Sequence, residues 1–114
     1  MGDHKGPDKI YNLRQKEIEK AVLVGVISQN QSADQVKEYL DELAFLADTA
    51  GVLVEDRFVQ KLERPHPKTF VGKGKLDEVS EYIKLHSIGT VIFDDELSPS
   101  QLRNIEAALE CKII

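Results

Sequence analysis

Lys20 to Ile27 reads KAVLVGVI, an almost unbroken apolar run of strand length that is rich in valine. A strand with one wet face alternates apolar and polar residues, so a run without alternation implies cover on both faces. It should be a central strand. The rest of the chain must then bring apolar helices to both sides of it.

The later segments alternate as that requires. Ser32-Ala33-Asp34-Gln35 is an S-x-x-Q capping box, a helix start in which side chain and backbone satisfy each other's polar groups. Val36, Leu40, Leu43, Ala44 and Ala47 follow at helical spacing, with Lys37, Glu38, Asp41 and Glu42 on the other side and Gly51 as the stop. Val52 to Gln60, VLVEDRFVQ, is β-rich but charged in its middle, which suits an edge strand. Leu76, Val79, Ile83 and His86 stripe the next helix, with Asp77 and Glu78 in its first turn and Gly89 at its end. His86, on that stripe, reads as a packed core histidine. Thr90 to Phe93, TVIF, is a short buried strand. Ser98-Pro99-Ser100-Gln101 is a second capping box with proline at the first helical position. Leu102, Ile105 and Leu109 line a third helix, and Lys112-Ile113-Ile114 opens a fourth strand, expected to run on into a longer protein.

This alternation makes an α/β domain with a parallel four-stranded sheet and helices on both faces. With the first strand central and the second at an edge, right-handed crossovers give strand order 2-1-3-4 and a switch point between the first and third strands. Ligands of such sheets sit beyond the carboxyl ends of the strands. There Ser28 to Gln31 and Asp94 to Glu96 are expected to meet.

At 114 residues the chain suffices for one domain, assigned to 20–114, after a polar tail over 1–19 that is expected to fray. No apolar run approaches the roughly 20 residues that span a bilayer, and the N-terminus lacks the apolar centre of a secretory signal. A cytoplasmic protein is the simplest reading. Cys111 is the only cysteine, which excludes an internal disulfide and, between Glu110 and Lys112, reads as structural.

The net charge of −5 argues against indiscriminate binding to nucleic acid. Its distribution argues differently. From Arg57 to Lys75, Arg57, Lys61, Arg64, Lys68, Lys73 and Lys75 face Glu63 alone, a local excess of five positive charges. Within it RPHPKTFVGKGK, residues 64–75, joins two stiffening prolines to a glycine-lysine pair entering a helix. Gly72 and Gly74 would let backbone N–H groups crowd an oxygen, and a helix beginning near Lys75 would add the partial charge of its N-terminus. Arg64, His66, Lys68, Gly72, Lys73, Gly74 and Lys75 are therefore the candidate anion-binding residues, against the bland alternative of a solvated loop. The stretch is not a P-loop. That pattern needs glycine at 69 and a hydroxyl at 76, where Thr69 and Leu76 stand.

Catalytic groups are not assigned. No serine, cysteine or acid stands beside a histidine as nucleophile and base would, and His and Cys show no metal-ligand spacing. Asp94-Asp95-Glu96 offers oxygen ligands for Mg²⁺, but consecutive residues on an extended chain point apart. The triplet is read instead as a loop that caps the sheet.

Two of these stretches carry a resemblance. ERPHPKTFVGKGKLDEV, from Glu63 to Val79, and VIFDDELSPSQLRNIEAAL, from Val91 to Leu109, closely resemble the N-terminal domain of the HflX family of ribosome-associated GTPases. The similarity runs from about Lys20 to Ile114 and takes in KAVLVGV and LDELAFLADTAGVLVEDRFVQ; Ile105 stands where leucine is more usual. The resemblance implies a longer protein in which a linker and a G domain follow, and in which GTP and Mg²⁺ are the cofactors. None is implied for this chain, which lacks the G motifs and is not expected to be catalytic alone. By the same resemblance the partners would be the large ribosomal subunit with its rRNA, in splitting or rescue of ribosomes under stress, and the protein's own G domain. Two alternatives accompany it: a nucleotide-binding domain in its own right, for ATP or GTP, and a purely intramolecular regulator of the G domain.

Overall fold

The computed structural model describes residues 18–114; the expected tail lies, up to residue 17, outside the described residues. The elements are β1 (Lys20–Ile27), α1 (Ala33–Thr49), β2 (Leu53–Lys61), α2 (Lys73–His86), β3 (Thr90–Phe93), α3 (Pro99–Leu109) and β4 (Lys112–Ile113). They form one parallel sheet in the order β2-β1-β3-β4. The unbroken valine run is central and the charged strand is an edge, as the sequence predicts.

Alternation along β1 divides the core into two layers. Val22, Val24 and Val26 point to one face, where α2 and α3 supply Leu76, Val79, Ile83, Ile105 and Leu109. Leu23 points to the other, against Val36 and Leu40 of α1. Cys111 packs on the larger layer, and burial pushes its thiol above the ordinary range, which fits a packed thiol better than a reactive one.

Both S-x-x-Q boxes are formed. Ser32 and Gln35 cap α1 and Ser98 and Gln101 cap α3, each pair reciprocally. Gly51, at φ 82°, follows α1 as expected.

The second helix departs from its sequence reading at both ends. It starts at Lys73 rather than near Lys75, so Asp77 and Glu78 fall in its second turn, where they pair with Lys73 (3.2 Å) and Lys75 (3.1 Å). It ends on Ser87 in the left-handed region, φ 53°, and not on Gly89. His86 is exposed and stacks on Tyr82, ring centroids 4.0 Å apart, so it is a surface residue rather than part of the core. The stripe of Leu76, Val79 and Ile83 has already left the sheet by the last turn.

Candidate functional site

Residues 62–72 carry the chain from β2 to α2 past the carboxyl end of the sheet. Leu62 extends the ladder by donating to the Ile27 carbonyl at 2.8 Å. Beyond Pro65 the chain doubles back on itself: the His66 N–H donates to the Phe70 carbonyl (2.9 Å) and the Phe70 N–H to the His66 carbonyl (2.8 Å). Inside this turn the Lys68 N–H donates to His66 Nδ1 at 3.1 Å, and Thr69 Oγ1 donates to the Val71 carbonyl at 2.8 Å. Phe70 closes it with φ 67°, a conformation that a bulky residue adopts only when its surroundings impose it. Its ring is the reason, being buried edge-on against Phe93 at 5.5 Å.

A neighbouring helix holds the loop from the side. Gln101 Nε2 donates to the His66 carbonyl at 2.9 Å and Asn104 Nδ2 to the Lys68 carbonyl at 3.0 Å. Gln101 thus serves twice, its oxygen in the cap of α3 and its nitrogen on the loop. The pinned backbone leaves the Arg64, His66 and Lys68 side chains exposed. Beside them lies an open cavity of about 430 Å³, lined by residues from Leu62 to Pro67 and by Gly72.

Gly72 is the N-cap of α2, and no side chain caps that end. Its φ of −69° is open to any residue, so the glycine is not there for unusual backbone angles. Close approach requires it instead: the Gly72 N–H donates to Gln60 Oε1 at 2.8 Å, and a Cβ would lie 3.2 Å from Gln60 Nε2. Gly74, within the first turn, has open space where a Cβ would be. The first N–H groups of the helix have no intrahelical partner, and the Lys73 side chain is exposed. Lys75 is turned toward Glu78 and is only 23% exposed at its side chain.

The basic stretch is therefore not one surface. Arg64 and His66 on the loop line one cavity with Gly72 at the helix start, while Lys68 on the loop and Lys73 and Gly74 in the first turn of α2 are exposed outside it. Arg57 instead reaches Asp41 of α1 at 2.7 Å, and Lys61, in register with Ile27, lies on that same side. The Lys37 ammonium first, and the Arg57 guanidinium second, hold the Asp41 carboxyl below the usual range.

The switch point is built differently. Gln31 and Asp94 do meet there, Gln31 Nε2 donating to Asp94 Oδ2 at 3.0 Å. Gly25 makes room for the carboxylate: a Cβ at 25 would lie 2.9 Å from Asp94 Oδ2 and from Val36 Cγ1. Asp94 Oδ1 is buried and has no hydrogen-bond partner among the described residues. Burial first, and the charge of Asp95 second, raise this carboxyl to about 6, against the pull of Gln31. Asp95 instead accepts from the Glu96 N–H at 2.7 Å and shapes the loop. Among the described residues no three His, Cys, Asp or Glu side chains gather as a metal site would need. A half-buried carboxylate and a helix start already capped by Ser32 disfavour phosphate at this point.

Sequence reading missed Gln60 and Asn104, whose amides carry no motif, and the second task of Gln101, which its capping box does not announce. The glycine inside the valine run was the available signal for Asp94, since a strand glycine often marks close approach.

A four-stranded parallel sheet with helices on both faces, and a braced loop at its carboxyl end, defines a domain of the α/β class. The family described as GTP-binding GTPase N-terminal matches residues 37–114, and the chain belongs to that family, the N-terminal domain of HflX-type GTPases. It is 54% identical over 96 residues to the GTPase HflX of Flavobacterium psychrophilum, covering 84% of this chain and 23% of that protein. To the GTPase HflX of Lacrimispora saccharolytica it is 45% identical over 100 residues, 87% of this chain and 23% of that one. The GTPase HflX of Escherichia coli is 40% identical over 96 residues, 84% of this chain and 22% of its own length. The chain thus spans about a quarter of the length of these curated relatives. No described helix is long and apolar enough to cross a membrane.

Proposed function

We propose that this chain is the part of a longer GTP-hydrolysing protein that meets ribosomal RNA of the large subunit, and that through this contact it tunes the G domain. The observation that carries the reading is the bracing of the 62–72 loop by Gln101 and Asn104. A loop pinned at its backbone while its cations stay exposed has lost its conformational entropy before binding. Arg64 and Lys68 supply phosphate contacts and the first turn of α2, with Lys73, adds backbone donors to them. The adjoining cavity, walled by Pro65, His66 and Pro67, suits an unstacked base better than a free phosphate. GTP hydrolysis with Mg²⁺ belongs, in this reading, to the remainder of the longer protein, in the cytoplasm.

Co-sedimentation of the chain with large ribosomal subunits across a salt series tests it. Binding should weaken with salt and fall several-fold in Arg64→Ala/Lys68→Ala, and less in Lys73→Ala/Lys75→Ala, where Asp77 and Glu78 already compensate the lysines. Absence of binding at low salt would leave regulation of the G domain as the reading to pursue. Self-contained nucleotide binding is the weaker alternative, because a carboxylate occupies the switch point; a flat calorimetric titration with ATP and GTP is expected.

A further inference from the structure

Glu63 is the one acid among the cations of residues 57–75, and the fold places it in the wall of the cavity beside the basic loop. Its backbone is anchored on both sides. The Leu62 N–H donates to the Ile27 carbonyl at 2.8 Å, and the Glu63 carbonyl accepts from the Gln29 N–H at 3.4 Å. Its carboxylate has no ion-pair partner among the described residues, although Arg64 follows it directly. A negative charge at this place opposes phosphate binding, so contact with a nucleic-acid backbone gives it no task. A base edge that donates hydrogen bonds does.

The polar side chains around the cavity are few, and each has a set sense. Glu63 only accepts, through two oxygens, and Arg64 only donates. The Lys68 N–H donates to His66 Nδ1 at 3.1 Å, so the neutral ring carries its proton on Nε2 and donates there. Pro65 and Pro67 have no N–H, and the Gly72 N–H is already given to Gln60 Oε1 at 2.8 Å. Those walls bring no free donor; they are surfaces for the plane of a base to lie on.

A paired acceptor beside donors selects one base. Guanine presents N1–H and its amino group side by side, so both meet the carboxylate, and the neighbouring O6 is left to Arg64 or His66. Adenine would set the N1 lone pair against a carboxylate oxygen. Uracil and cytosine would set carbonyl oxygens there. We propose that the cavity takes a guanine base of unpaired RNA, with Glu63 as the residue that selects it. The assignment rests on the RNA contact proposed for this loop and adds a base preference that phosphate contacts alone lack.

The test is fluorescence anisotropy of the labelled ribonucleotides UUUGUUU, UUUAUUU and UUUIUUU, where I is inosine, which keeps N1–H and lacks the amino group. The guanine sequence should bind about tenfold more tightly than the adenine one, with inosine between them. Glu63→Gln presents one acceptor and one donor, the complement of adenine, and should bring guanine and adenine within about twofold of each other. Lys68→Ala, outside the cavity, should weaken all three alike. Both side chains are exposed, so the variants should melt as the parent does. Equal binding of the guanine and adenine sequences, or a preference that survives Glu63→Gln, would overturn the assignment while the RNA contact stands. Absence of binding to all three at low salt would overturn both. GTP should not compete; displacement of the guanine sequence by an equal concentration of GTP would make the ligand a free nucleotide and overturn the assignment. The longer protein should show the same preference and the same response to Glu63→Gln. Loss of both there, while the isolated chain retains them, would make later residues of the chain the occupant of the cavity and overturn it too.

Discussion

Asp94, just past the end of β3, is a carboxylate that folding makes harder to ionise. Its pKa rises from an ordinary 3.8 to about 6, so between those values the folded chain binds a proton that the unfolded chain has released. Stability attributable to this group is therefore gained as pH falls from about 7 toward 4 and lost as pH rises through 6. Asp94→Asn removes the charge and keeps an acceptor for Gln31. The variant should melt above the parent at pH 8, with the gap closing by pH 4 in parallel thermal scans. A gap independent of pH would mean that this carboxyl does not titrate in that window. Phe70 shows the reverse balance, a strained backbone kept by a well-packed ring. Removing the ring while leaving φ at 67°, as Phe70→Ala does, should cost about 3–5 kcal/mol in urea unfolding. A loss below about 1 kcal/mol would mean that the ring does not hold the turn.

The loop between β2 and α2 owes its order to α3, and one substitution separates the two tasks of Gln101. Gln101→Glu retains an oxygen for the Ser98 N–H and so keeps the cap, while deleting the donor to the His66 carbonyl. Overall stability should fall by about 1 kcal/mol, whereas amide exchange should accelerate across residues 64–71 and not within α3. Equal acceleration in α3 would show that the cap had failed instead. Such side-chain-to-backbone braces were not legible beforehand, because an amide within a helix looks the same whether it faces water or a neighbouring loop. Other parts were fully legible. The unbroken valine run, the charged edge strand and both S-x-x-Q boxes fixed the strand order and two helix starts, since each states its physics in local residue types. The ends of α2 and the C-terminus of α3 were not: Gly72 caps α2 without a side chain, and Ser87 after α2 and Glu110 after α3 take left-handed angles that glycine would have announced. The cationic stretch was visible as a sequence, but its division between two sides of the sheet depends on the parity of β2, which a bulge opposite Ala21 and Val22 shifts by one residue.

Helix α1 is acidic, with five acids against Lys37 alone, while Arg64, His66 and Lys68 stand exposed beyond the carboxyl end of the sheet. Net charge alone would predict repulsion from RNA, so any binding must come from a few oriented cations and must reveal their number in its salt dependence. Each phosphate neutralised contributes about 0.7 to the slope of log K against log salt for single-stranded RNA and about 0.9 for a duplex. Arg64 and Lys68 have no ion-pair partner among the described residues, while Lys73 and Lys75 each lie within 3.2 Å of a carboxylate. Arg64→Ala/Lys68→Ala should therefore flatten the slope by about 1.4–1.8. Lys75→Ala should leave it nearly unchanged, because an ammonium already compensated by Glu78 releases little when it meets phosphate. The acidic face enters the same measurement with opposite sign. Glu38→Gln/Glu42→Gln should raise RNA affinity at low salt through weaker long-range repulsion, and the gain should vanish near physiological salt, where the Debye length is about 8 Å. A gain that persisted at high salt would place RNA in contact with α1, and the acidic face could then no longer be one that turns away from the ribosome.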